Sequence, residues 1–228
     1  MRSTGLIAVI ILSLFCATAA KAVNWRVLPG GLLEFSIRVA DQRGESFLVT
    51  GDIPDWQAWI SFDTQDPDAT QVCVAIDLSR TQTDRAGFDA EMHSDTWLGT
   101  AAHPQAVFSA ARAETIRRGQ FISGGILELR GHSAPVDVRF TLFAGEGQVH
   151  VTGSALLDRR AFRIGSRIGA SSAGYDVLVT FSFDAEPLAS STDQAGGPAN
   201  DDSYWREARR YCADSLDAGR SASGKMGS

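Results

Sequence analysis

The chain has 228 residues, 44% of them hydrophobic, and sets 21 Lys and Arg against 27 Asp and Glu for a formal net charge of −6. So acidic a chain lacks the cation density that neutralises a phosphate backbone, which excludes nucleic acid as a natural partner. The last roughly 40 residues hold too few apolar groups to add to a core, so the composition predicts one domain followed by a tail.

Arg2, the apolar run from Leu6 to Phe15 and the small residues ending in Ala20-Lys21-Ala22 predict a secretory leader over 1–22. Its apolar core is about ten residues, short of the roughly 20 of a membrane-spanning helix, so no transmembrane segment is expected in the mature protein. Cys16 follows the bulky Phe15, which argues against lipid modification at that cysteine. The mature chain is expected to begin near Val23 and to be exported.

From Trp25 to Glu186 the dominant period is two. Leu33, Phe35, Ile37 and Val39 alternate with polar residues, as do Val72, Val74, Ile76 and Leu78. The same pattern recurs in Val136 to Leu142 and in Tyr175 to Phe183. Weaker strands are predicted over Glu45 to Val49, Trp56 to Phe62, Ala106 to Ala110, Gly125 to Arg130 and Gln148 to Leu157, making eight or nine in all. Turn-forming clusters such as Asp66-Pro67-Asp68 and Gly145-Glu146-Gly147 separate them, so neighbours should be antiparallel. A short helix is expected within Asp84 to Met92, packing Phe88, Met92, Trp97 and Leu98 against one end of the sheet. The domain is therefore placed at 23–186, with a flexible tail at 187–228 carrying an amphipathic helix over 203–217.

Chemistry-bearing patterns are few. The four histidines, His93, His103, His132 and His150, show no i, i+4 pair and no clustered cysteine, so no metal site is expected. His93-Ser94-Asp95 contains triad residue types, but neighbours on a chain point different ways, and Ser94 or Asp95 is read as a helix cap. Nucleotide, dinucleotide and serine-hydrolase signatures are missing, so neither a cofactor nor a catalytic residue is predicted. Cys73 lies out of phase with Val72, Val74 and Ile76 and should face outward, where Cys212 of the tail helix can reach it. A disulfide and two free thiols both fit that arrangement. Arg159, Arg160, Arg163 and Arg167 form the one local basic cluster, which fits either a solvated loop or contact with a phosphate or carbonyl head group of a ligand, with Arg159 and Arg163 the candidate contacts.

Three motif stretches occur in order. They are Val74 to Thr83 with Asp89, Ser94 to Leu98 and Pro104 to Ser109; Gly125 to Val136; and Gly153 to Gly165. Together they resemble the YceI-like family of bacterial periplasmic proteins, over about Trp25 to Ala185. The resemblance implies a mainly β fold: a single antiparallel, lipocalin-like eight-stranded barrel with a short helix near one mouth. It also implies non-catalytic binding of a long isoprenoid or similar amphiphilic lipid, quinones included, in an apolar tunnel. Two departures stand out. A His-Ser pair usual after the first strand is replaced by Gly30 and Gly31, and the family's Arg-Asp near the helix reads Phe88-Asp89.

Alternation alone fits an ordinary filled core equally well. In that reading the chain is a β module that binds a partner protein through its surface or its C-terminal helix. In the tunnel reading the ligand is lined by Phe35, Ile37, Val39, Trp56, Trp59, Phe62, Ile76, Trp97, Phe108, Phe140, Phe162, Val179 and Phe181.

Overall fold

The structure, a computed structural model, describes residues 23–188 and Cys212. The predicted leader lies outside the described residues, as does the predicted helix over 203–217 apart from Cys212, which is helical.

Alternating apolar and polar residues form strands because successive side chains point to opposite faces, so one face can be buried while the other stays wet. In chain order the elements are β1 (Val23–Val27), β2 (Leu32–Ala40), β3 (Ser46–Asp52), β4 (Asp55–Phe62), β5 (Gln71–Asp77), β6 (Gln82–Thr83) and α1 (Ala86–His93). They continue with β7 (Gln105–Ala110), β8 (Glu114–Arg117), β9 (Gln120–Leu129), β10 (His132–Ala144), β11 (Val149–Asp158) and β12 (Ala173–Pro187). Every pairing between strands is antiparallel.

Register shows how the sheet closes. β12 pairs with β1 through Trp25 and Pro187, and with β2 through Phe35 and Val179. β1 in turn pairs with β4, and β2 with β3. β1 with β2, and β3 with β4, therefore act as two long interrupted strands. Pro54 marks the second interruption, where a residue without an N–H cannot continue the ladder. With β5, β7, β9, β10, β11 and β12 they close an eight-stranded antiparallel barrel. Closure removes the free edges that an open sheet of this length would present. β6 lengthens β3, and β8 lies beside β9.

The burial pattern of β5 runs opposite to that of a filled core. In β5 the inward Val72, Val74 and Ile76 are only half-buried, whereas the outward Cys73 is 1% and Ala75 5% exposed. The inner rings of Phe35 and Phe181 fold against glycines of the neighbouring strands. Phe35 is the register partner of Gly51, and a side-chain carbon at Gly51 would sit 2.3 Å from its ring. Phe181 stands in the same relation to Gly153, where the distance would be 2.2 Å. Two glycines thus make room for rings to fold flat.

The two ends differ. One is covered by α1, the segment 94–104 and the segment 159–172, with Trp97 packed against both neighbouring clusters of buried apolar residues. The other is framed by the connections 63–70, 111–119 and 145–148, above a trio of rings from Phe62, Phe121 and Phe140 with centroids 5.1–5.8 Å apart.

Candidate functional site: an apolar tunnel

The barrel encloses a cavity of about 860 Å³ that runs between these two ends. Its wall is built from the inward phase of every long strand, and α1 contributes Phe88 and Met92. A volume of this size lies within the roughly 300–1,000 Å³ range of small-molecule sites.

The structure brings Phe35, Ile37, Val39, Trp56, Phe62, Ile76, Trp97, Phe108, Phe140, Phe162, Val179 and Phe181 to the wall of this cavity. Trp59 is the exception among the predicted lining residues. It stands one step out of phase with Trp56, Ala58 and Ile60, pairs in register with Cys73, and so belongs to the outer face. Its aromatic character drew it into the prediction against its own strand's alternation. Sequence reasoning passed over Leu33, Val49, Ile60, Val72, Val74, Val177 and Phe183, which also line the cavity. Most of these stand in the alternating runs already recognised, so period two was signal enough to find them.

Neither predicted head-group residue is placed for that role. Arg159 is 1% exposed, and its guanidinium donates to the backbone carbonyls of Ile164, Gly165, Ile168, Ala173 and Gly174 at 2.7–2.9 Å. An arginine has five N–H donors, and all five are committed here. Burial lowers the Arg159 pKa, a shift opposed by the neighbouring Tyr175 and Asp158. Rings of Tyr175 and Trp97 flank the cation at 5.2 and 5.8 Å. The expectation of a ligand contact is therefore corrected: Arg159 ties the β11–β12 connection to the barrel. Arg163 is exposed with φ 55°, ends the short 3₁₀ turn over Arg159–Phe162, and lies outside the cavity lining. Arg160 turns to Asp158, and its hydrogen bonds hold that carboxyl below the usual carboxylate range.

Both family departures have a visible local consequence. A side-chain carbon at Gly31 would meet the Trp56 ring at 2.7 Å and Phe183 at 2.9 Å, so the indole occupies the space a larger residue would need. Asp89 accepts hydrogen bonds at 2.7 Å from both the hydroxyl and the backbone N–H of Thr83, which hold its carboxyl below its ordinary value. It thereby clasps α1 to β6, while Phe88 fills the end of the tunnel. Ser94 ends α1 through its backbone N–H, which donates to the Glu91 carbonyl, and its side chain makes no cap.

His93 is fully engaged. Its Nε2 donates to the Thr81 carbonyl at 2.9 Å, which leaves Nδ1 to accept from the Thr100 hydroxyl at 3.1 Å. Among the described residues no group of three or more His, Cys, Asp and Glu is arranged to hold a metal ion. None of the described helices is long and apolar enough to cross a membrane. On the outer face, Cys73 is joined to Cys212 by a disulfide, with Cα atoms 5.7 Å apart and Val107 buried beside them.

A closed eight-stranded antiparallel barrel with a helix over one end and an apolar hollow along its axis defines a lipocalin-like class of protein. The family model described as the YceI-like domain matches residues 31–185, and the chain belongs to that family. A UPF0312 protein of Pseudomonas aeruginosa is 27% identical over 178 residues, covering 74% of this chain and 90% of its own. Protein YceI of Escherichia coli is 25% identical over 173 residues, covering 73% and 90%. Among solved structures, Burkholderia cenocepacia BcnA superposes with a TM-score of 0.60 at 16% identity, over 68% of this chain and 95% of its own. A Campylobacter jejuni YCEI protein gives 0.56 at 16% identity, over 61% and 85%. These two likenesses show the same fold.

Proposed function

We propose that the protein is a non-catalytic carrier of an isoprenoid or similar amphiphilic lipid, quinones included, working in the periplasm after export by its leader. The observation that carries this reading is the apolar hollow itself, with inward wall residues such as Val72, Val74, Ile76 and Phe140 partly uncovered towards the lumen. Each buried methylene contributes about 0.8 kcal/mol, hence about 3–4 kcal/mol per isoprene unit. Four or five enclosed units offset the roughly 4–15 kcal/mol that association costs, without any strong polar anchor. A small polar metabolite has no comparable source of affinity in such a wall. Membership of the YceI-like family supports the same reading. The competing picture, a filled β module that acts only through its surface, does not account for a hollow of about 860 Å³.

Native mass spectrometry of protein purified from a periplasmic extract, followed by organic extraction, tests the proposal. The expected result is a discrete adduct that releases a prenyl-type lipid. Protein that arrives bare, and then takes up neither a prenol nor a quinone from detergent, would overturn it.

A further inference from the structure

On the carrier reading, which this inference presupposes, the two ends of the tunnel are chemically unequal. Thr81, Thr83, Glu91 and Arg159 are the polar side chains that line it at the helix-covered end. All five Arg159 donors are held by carbonyls, and the Thr83 hydroxyl is engaged by Asp89 and by the Arg85 backbone. The Thr81 hydroxyl is without a partner but is enclosed by its neighbours, the residue being 1% exposed, and Glu91 is an exposed acid. A head group rich in acceptor oxygens would be stripped of water there and find no uncommitted cation among the residues that line it, an arrangement that costs several kcal/mol.

The far end offers the opposite chemistry. Asp63, Thr64 and Gln65 on one side of the opening, and Thr115 and Arg118 on the other, line the same cavity; all but the half-buried Asp63 are exposed, and the Asp63 carboxylate accepts from the Gln65 backbone N–H at 2.8 Å, leaving Arg118 as the cation of this rim. They bring hydroxyls, an amide and a guanidinium to a rim where a head group keeps part of its hydration. Between the two ends the wall is apolar apart from Ser123, whose hydroxyl donates to the Arg112 carbonyl.

We infer that the lipid enters hydrocarbon first between the 63–65 loop and the β8–β9 turn, and that its acceptor-bearing head, a phosphate or a carbonyl, rests against Arg118. The terminal isoprene then lies among Phe88, Met92, Trp97 and Leu98, and Arg118 becomes the residue that sets head-group preference.

Photo-crosslinking of the full chain tests the orientation. A geranylgeranyl probe with a benzophenone at its head should label peptides containing 63–65 and 115–119, and the same chain with the label at its tail should mark 88–98. The reverse pattern, or equal labelling of both ends by each probe, overturns the inference while leaving the carrier reading intact. Labelling that unlabelled lipid cannot compete away would sink both. In parallel, Arg118→Gln should weaken geranylgeranyl phosphate about tenfold or more, as loss of a hydrogen bond to a charged group does, and geranylgeraniol by much less. Equal losses for the two ligands would remove Arg118 from head-group selection.

Discussion

Three carbonyls of the segment joining β11 to β12 and two at the start of β12 converge on the Arg159 guanidinium. Truncation would leave buried acceptors unpaired, and each such group costs about 1–3 kcal/mol. Arg159→Ala is expected to lower unfolding stability by about 3 kcal/mol or more, a fall in Tm of roughly 6–12 °C for a domain of this size. Arg159→Lys should recover only part of the loss, because an ammonium cannot reproduce the planar fork. Denaturant unfolding of lipid-free protein measures this, and an Arg159→Ala curve that overlays the wild type would refute the anchoring role. The basic cluster was legible in the sequence, but its purpose was not, because the acceptors are main-chain atoms that every residue possesses. Arg118 sits outside that cluster, in the Arg117-Arg118-Gly119 turn between β8 and β9, and nothing in a turn signal points to a ligand.

At the level of elements, period two located the strongest strands and their inward faces, since a face that must be apolar leaves alternation behind it. β8 was not seen, because Glu114 to Arg117 is exposed throughout and has no buried face to write into the sequence. The first half of β9 went unread for a related reason: Gln120 to Gly124 mixes polar residues and a glycine with Phe121 and Ile122, and its pairing with β10 and β8 makes it a strand. Trp59 shows the limit of reading residue type without phase. Phase also pointed Cys73 outward, but which cysteine state holds there could not be read from spacing. The disulfide closes a separation of 139 residues and links β5 to the far end of the chain. Removing a bridge of this kind typically costs 2–5 kcal/mol, mainly through the unfolded chain. Cys212→Ser should therefore lower the unfolding midpoint by an amount that dithiothreitol reproduces in the wild type, and the reductant should leave the variant unchanged. A wild-type midpoint indifferent to reductant would show that the bond contributes nothing to the barrel.

For the molecule as a whole, the decisive property is that the barrel wall does not meet itself in the middle. Ala58 stands on the inward face of β4, in register with Val74, and lines the cavity. In a filled core Ala58→Trp would overpack the interior and cost about 1–3 kcal/mol. In the hollow barrel the indole has room, so the variant should fold with stability within about 1 kcal/mol of wild type and lose lipid uptake. Paired thermal melts and prenol titrations separate the two cases, and a large destabilisation would argue that the lumen is closed.

The inverted burial of β5 reaches beyond binding. Greasy surface turned towards the lumen is surface whose removal from water the fold alone does not finish, and any guest that completes it shifts the folding equilibrium by mass action. The melting temperature of such a barrel belongs to its contents as much as to its sequence, and two preparations of one chain can differ in heat resistance through nothing more than what each picked up in the cell that made it.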